Sequence, residues 1–492
     1  MKIKMSVDIK RLHLHYIIIF GIPLLWLISI ALLNAETKTV GESINVSEVF
    51  GDVPDSTEGQ SWASIYLKGE KIGYSYESYH NSSKGMLYKE YMKMRIPLGG
   101  AVREVEADNF ALLDSNLSIR SFSAGMSSGK YDITIHGIVD KDKLELTYIS
   151  GGRRNTKTIP VSGPIYFQGQ LPRIIKYSGF KSKLFSIPVF DPLSLSLTDL
   201  KVDVSAPQVI GSDSSYALNV DFNGIKTTMT INSKGELIKD IQPGGMLVKS
   251  EPRNKALKLK SSYAAGEDFL VKLSVPSDSI IDNPRTTTYL KVELEEIDPS
   301  SYVLGDGSSQ LLLNSKPVEV EINRVNPKHI EIQNLDDYLK ASNFVQCKDS
   351  SIVKASNKIT VGLTSNREKA FAIADWVYKN IEKDITVSVP SAVEVLRVKR
   401  GDCNEHTVLY VALARAAGIP CKTVIGIVYK DGMFFYHAWP AVYLGYWHHL
   451  DPTFGQHTAD ATHIQLLEGS IEKQTELVNV VGKLKVKIIE YH

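Results

Sequence analysis

Residues 401–429 read GDCNEHTVLYVALARAAGIPCKTVIGIVY, and their pattern decides the fold of the last third of the chain. Val408, Leu409, Ala412, Leu413 and Ala416 fall on one side of a helix running 403–417. Asp402 is placed to cap it, with Glu405 three residues on to complete a capping box. Gly418 and Pro420 stop it. Strands follow at 422–429, 433–443 and 446–450, the first two joined by Lys430-Asp431-Gly432. Upstream, Ala370, Ile373, Ala374, Val377 and Ile381 lie at helical spacing behind the capping box Ser365-x-x-Glu368. The pattern is α+β, helices first and then an antiparallel sheet.

Cys403 opens the 403–417 helix, where the positive end of the helix dipole favours a thiolate. An acidic cap at Asp402 works against that, so activation needs a further group. Taken alone, Cys403 reads most simply as a buried core cysteine. Its neighbours on the strands change the reading. A loop at 443–445 would pair Val442 with Tyr446 and set His437 directly opposite Asp451, with Cβ atoms ~4.5–5.5 Å apart. A carboxylate at that distance fixes the imidazole tautomer, and the other ring nitrogen can take a thiol proton. A slip of one residue would put the two side chains on opposite faces. Cys403, His437 and Asp451 are thus candidates for nucleophile, base and orienter. The plainer alternatives are a half-buried histidine and a turn aspartate before Pro452.

The same segment, with FYHAWPAVYL at 435–444 and HLDPTFGQ at 449–456, resembles the core of the transglutaminase-like superfamily. The matching motifs run from about Pro390 to Gln456, within a domain spanning about 345–475, and residues 36–345 take no part. The resemblance implies a papain-like fold with cysteine on a helix and histidine and aspartate on neighbouring strands. By position it assigns the catalytic roles to Cys403, His437 and Asp451. It implies acyl transfer through a cysteine thioester, by a protease, another amide hydrolase or a transamidase, and the wording is most like bacterial exported members. The backbone N–H of Cys403 is the first candidate oxyanion donor. No calcium-site sequence is present, so neither metal nor cofactor is expected.

Five of the twelve histidines lie within 437–463. No HExxH is present, and adjacent His448 and His449 on a strand face opposite ways, which argues against a metal centre. His406 is a rival base on the cysteine helix, better read as packing or capping nearby. Trp439 shares a face with His437 and reads as core. Residues 459–463 read as a loop, with a cleft wall as the alternative. Cys347 and Cys421 are either a disulfide in an exported protein or two buried thiols.

Outward from this domain, the chain has 492 residues, enough for two to four domains. Lys+Arg 56 against Asp+Glu 55 speaks against a nucleic-acid binder, and three cysteines exclude a disulfide scaffold. Residues 16–33 form an uncharged 18-residue run behind Lys2, Lys4, Lys10 and Arg11. That length just spans ~30 Å of hydrocarbon, with the basic flank cytoplasmic. Its length favours a retained anchor at residues 1–35 over a cleaved signal, although 29–31 offers small residues for cleavage. Residues 36–60 read as a polar tether. Residues 61–255 repeat hairpin signals and form an antiparallel β-rich domain. Residues 256–345 form a smaller β-rich region, with strands at 270–275 and 288–294, and 346–492 carry the last domain with a C-terminal strand. The expected protein is an inner-membrane, single-pass cysteine enzyme with an extracytoplasmic bulk, or a secreted one if the segment is cleaved. Its expected partner is a protein or peptide substrate. The competing reading is a non-catalytic envelope binding or assembly protein that uses the β-rich domain.

Overall fold

The computed structural model describes residues 60–492 apart from 129–130, 151–152, 181–183, 193–194, 211–212, 223, 261–267, 386–390, 470–475 and 478. The expected anchor at 16–33 lies outside the described residues, as does the tether up to Gln60. Among the described residues no helix is long and apolar enough to cross a membrane.

Among the described residues, fifteen strands between Gln60 and Ser250 form one antiparallel sheet. Its first four are β1 (Gln60–Leu67), β2 (Glu70–Ser82), β3 (Gly85–Leu98) and β4 (Ala101–Leu113). The hairpin expected around 68–71 turns on Lys68 and Gly69, both at positive φ, the two-residue turn whose twist suits a hairpin. Late in this stretch of chain but inside the sheet runs β5 (Leu237–Gln242), separated from β1 by the strand Met246–Ser250. The sheet rolls until its two edges meet. Lys157 Nζ on one edge strand donates to Leu195 O beside the other at 2.9 Å, and Phe190 of that other edge strand packs tilted against Phe122 across the interior, ring centroids 4.8 Å apart. The 3-10 turn Gln168–Gln170 and the helix Leu171–Tyr177 sit inside the roll, where Phe167, Leu171 and Ile175 are buried.

The last third follows the expected order of helices before sheet. Its helices are α1 (Ser350–Ile359), α2 (Asn366–Asn380), α3 (Ala392–Val398) and α4 (Cys403–Ala416). The capping boxes at Ser365/Glu368 and Asp402/Glu405 both form. Helix α4 differs from expectation in being buried all round, from Cys403 to Ala414. It is the centre of the domain: Ser356 of α1 donates to Leu413 O, Tyr410 donates to Ala370 O of α2, and Thr407 donates to Ala438 O of the sheet. A helix enclosed on every side is held rigidly, and its first residue with it.

The sheet beside α4 contains β6 (Cys421–Lys430), β7 (Met433–Tyr443), β8 (Trp447–His449) and β9 (His463–Gly469). Its order is Val275–Pro276, β7, β6, β9, with β8 on the far end of β7. The C-terminal strand Lys485–Tyr491 pairs with Tyr289–Glu295 in a separate four-stranded sheet. One expected strand is corrected. Residues 270–275 are mostly the helix Phe269–Leu273, because Asp268 accepts the Leu270 N–H and Phe269 and Leu273, four apart, bury together. The rolled sheet and the last domain share one apolar core, in which Met92, Met94 and Ile96 join Phe269, Ile373 and Leu409.

Candidate active site

Cys403, the first residue of α4, is fully buried. Its thiol receives a hydrogen bond from the Ala438 backbone, so it lies against β7 beside His437. Burial, then the charge of Asp402, push the thiol well above its ordinary pKa, with Asp451 and Glu405 adding to the shift. The acidic cap thus acts as its sequence position implied, and the cysteine rests as a neutral thiol.

His437 Nε2 lies 2.8 Å from Asp451 Oδ2, and both side chains are fully enclosed. The register that brings them together is not the expected one. Tyr443 pairs with Trp447, so the turn is 444–446 and β8 is displaced by two residues. A two-residue shift preserves the face, which is why the pair survives the misplaced turn. His437 and Asp451 are diagonal neighbours across the end of the ladder instead of direct opposites, still within reach of long side chains. The imidazole is packed between Trp439 at 5.9 Å and Phe454 at 5.3 Å. Burial depresses its pKa, Asp451 opposes this, and His463 and Arg285 add to the depression.

Asp451 accepts four hydrogen bonds. Oδ2 takes His437 and, at 3.1 Å, His463 Nε2, while Oδ1 takes the N–H groups of Thr453 at 2.7 Å and Phe454 at 3.2 Å. These outweigh its burial and hold its carboxyl well below the usual range. His463 is the member that sequence reasoning missed. It opens β9, and its Nδ1 lies 3.4 Å from Asp460 Oδ1. Burial opposes its protonation, but Asp460 and Asp451 outweigh that and raise its pKa. Asp460 in turn pairs with Arg285 at 2.9 Å. Asp451, His463, Asp460 and Arg285 therefore alternate in charge and sum to zero. The segment 459–463 proves to be part of the site's charge network. Gly426 makes its approach possible, since a Cβ there would meet Ile464 O at 2.0 Å. No linear motif carries this signal.

Replacing His463 by glutamine keeps a donor for Asp451 and removes the buried positive charge. Asp451 then acts on His437 without an offset, so the imidazole pKa rises. The expected result is that the acid limb of a pH profile of Cys403 alkylation moves to higher pH. An unmoved limb would reduce His463 to a packing role.

The remaining expectations resolve individually. His406 Nδ1 lies 2.6 Å from Asp402 O, and burial lowers its pKa to about 4, which fits the packing role. Trp439 is core, and its indole N–H donates to His449 Nδ1 at 2.9 Å. That bond places the His449 proton on Nε2, 2.7 Å from Asp306. Cys347 and Cys421 are two free buried thiols. His437, Asp451 and His463 offer ligand atoms within 4.8 Å of one another, a trio that could hold a metal ion. In this structure the two ring nitrogens sit at hydrogen-bond distance from one carboxylate oxygen, and the network's charges already balance.

The buried neutral histidines make stability pH-dependent. Above pH 6.5 each is neutral folded or unfolded and contributes nothing. Below it the unfolded histidine takes a proton that the folded one refuses, so stability falls until the folded pKa is reached. With His406 at about 4 and His449 at about 3, the losses continue to those values. At ~1.4 kcal/mol per pKa unit, His406 alone accounts for about 3 kcal/mol. Tm measured against pH is expected to fall steeply between 6.5 and 4. A flat profile there would contradict these environments.

The comparisons with known proteins agree with this geometry. Residues 353–452 match the model of the transglutaminase-like superfamily, and this part of the chain is a transglutaminase-like core domain. The kyphoscoliosis peptidase of Mus musculus is 33% identical over 113 residues, covering 20% of this chain and 17% of that protein. An uncharacterized protein of Haemophilus influenzae is 34% identical over 107 residues, covering 20% of this chain and 29% of the other. The chain thus spans less than a third of either relative. A crystal structure from Cytophaga hutchinsonii, provisionally titled a cysteine protease, covers 42% of this chain and 86% of its own at 16% identity, with a TM-score of 0.28. That superposition is too slight to establish a shared fold.

Proposed function

We propose that this chain is an exported, membrane-anchored cysteine enzyme of the transglutaminase-like kind, acting on amide or peptide bonds of a protein or peptide substrate through a thioester. The observation that carries the reading is the His437–Asp451 contact at 2.8 Å, with Cys403 held against the adjoining Ala438 backbone. The name of the mouse relative, a peptidase, supports the substrate class. The uncharged run at 16–33 supports the anchor.

In this reading Cys403 Sγ attacks the carbonyl carbon while its proton passes to His437 Nδ1. The proton on His437 Nε2 stays there throughout, donated to Asp451 Oδ2. The oxyanion forms at the start of α4, where the Cys403 N–H is its donor. The C–N bond breaks, and the amine leaves with the proton from His437. Water or a second amine then attacks the thioester, gives its proton to His437, and expels the thiolate, which recovers that proton.

Incubation with casein tests this through three readouts: new N-termini for proteolysis, released ammonia for deamidation, and uptake of a labelled amine for transamidation. At least one is expected from the wild type and none from Cys403→Ala. Equal activity in Cys403→Ala would contradict the proposal.

A further inference from the structure

The rolled N-terminal sheet encloses a cavity of about 160 Å³ that the proposed chemistry does not use. Four carboxylates line it, Glu77, Glu90, Asp191 and Asp240, and among the described residues no lysine, arginine or histidine does. The strand register makes this costly. Glu77 on β2 is paired directly with Glu90 on β3, which is paired with Asn109 on β4, so the three form one row across the interior. Like charges directly opposed on a sheet repel. The row is fixed in place: Tyr88 and Asn109 Nδ2 each donate to Glu90 Oε2 at 3.0 Å, and the Gly169 backbone presses so close that a Cβ there would sit 2.8 Å from Glu90 Oε1. The cation that acts on Glu77 is Arg173, which does not line the cavity and stacks on the Tyr79 ring at 4.0 Å; Glu236 adds a further negative charge.

A second observation points the same way. Asn109 is 3% exposed and lines the cavity, and its Oδ1 accepts no hydrogen bond among the described residues. A buried acceptor without a donor is destabilising by about 1–3 kcal/mol. The rest of the lining mixes serine and glutamine side chains with apolar and aromatic ones, Trp62, Phe167 and Phe190 contributing ring surface. The volume is close to that of cavities that take up benzene, roughly 150 Å³.

We propose that this cavity binds a small organic ammonium ion with an apolar body, its charge on the Glu77–Glu90 row and its body against the aromatic rings. An ammonium supplies donors to the carboxylates and to Asn109 Oδ1, and aromatic faces attract its charge. Burial and Glu90 push Glu77 up to about 8, so near neutral pH it holds a proton that a bound cation would expel.

Benzylamine tests the proposal against two isosteres of other charge, benzyl alcohol and benzoate, on the full chain carrying Cys403→Ala to silence the proposed active site. Benzylamine is expected to raise Tm and to bind with proton release, seen by calorimetry in buffers of different ionisation enthalpy, while the isosteres do neither. Glu77→Gln is expected to weaken benzylamine at least tenfold and to leave the ligand-free Tm near that of the wild type, because the amide replaces a carboxyl that already holds its proton near neutral pH. Asp240→Asn provides a second variant with the same expected loss. The proposal is overturned if benzyl alcohol acts as strongly as benzylamine, if no probe shifts Tm at millimolar concentration, or if folded Glu77→Gln binds benzylamine as the wild type does.

Discussion

Replacing His437 by alanine is expected to slow alkylation of Cys403 by iodoacetamide at pH 7 by roughly 10²- to 10³-fold, the scale of general-base assistance. The thiol by itself is a poor nucleophile here. An ordinary cysteine, pKa near ~8.5, is only a few per cent thiolate at pH 7. Burial and Asp402 push Cys403 further from ionisation. His437, kept neutral by its own burial, is the base that removes the proton. The wild-type rate should therefore decline only as pH falls through the depressed imidazole pKa, below 6.5. The variant should lack that limb and rise only at alkaline pH. The covered position of Cys403 slows reagent entry in both proteins and cancels in the ratio. His437→Gln, which fills more of the space between Trp439 and Phe454, checks that the loss is chemical and not structural.

The second large effect is expected at Asp451. Alanine there strips the acceptor from two imidazoles and two backbone N–H groups and leaves His463 with Asp460 as its remaining carboxylate contact. Breaking such a buried charged network is worth about 3–5 kcal/mol. The rolled sheet and the last domain share one core, so the unfolding unit is large; at roughly 1–2 °C per kcal/mol, Tm should fall by about 5 °C. Asp451→Asn separates chemistry from folding. Its amide oxygen can still accept from the Thr453 and Phe454 N–H groups, but its NH₂ cannot accept from His437 and favours the wrong tautomer. Reactivity should then drop by up to about 10⁴-fold with much of the stability restored. An asparagine variant as reactive as the wild type would remove Asp451 from the mechanism.

Much of this site was legible because it is written in local chemistry. Asp402 and Glu405 announce the start of α4, and with it the position of Cys403. His437 and Asp451 survive an error in the turn because strand faces depend on parity, and the error was two residues. His463 was not legible. It reaches Asp451 through the approach of β9 to β6 at Gly426, a tertiary event with no spacing rule. The short helix Phe269–Leu273 carries a run that also suits a strand, and the one local signal that separates the two is its cap at Asp268. The edge-to-edge closure of the N-terminal sheet was hidden for a similar reason. Each hairpin is local, but whether the two edge strands, Arg153–Pro160 and Leu184–Asp191, meet depends on accumulated twist.

The account's central claim is that Cys403 becomes acylated with His437 as its base. The most direct measurement is mass spectrometry of the chain after reaction with p-nitrophenyl acetate. The expected result is one acetyl group on Cys403, removed by hydroxylamine, formed far more slowly in His437→Ala and absent in Cys403→Ala. Acetylation confined to other residues, or equal at Cys403 with and without His437, would contradict the claim.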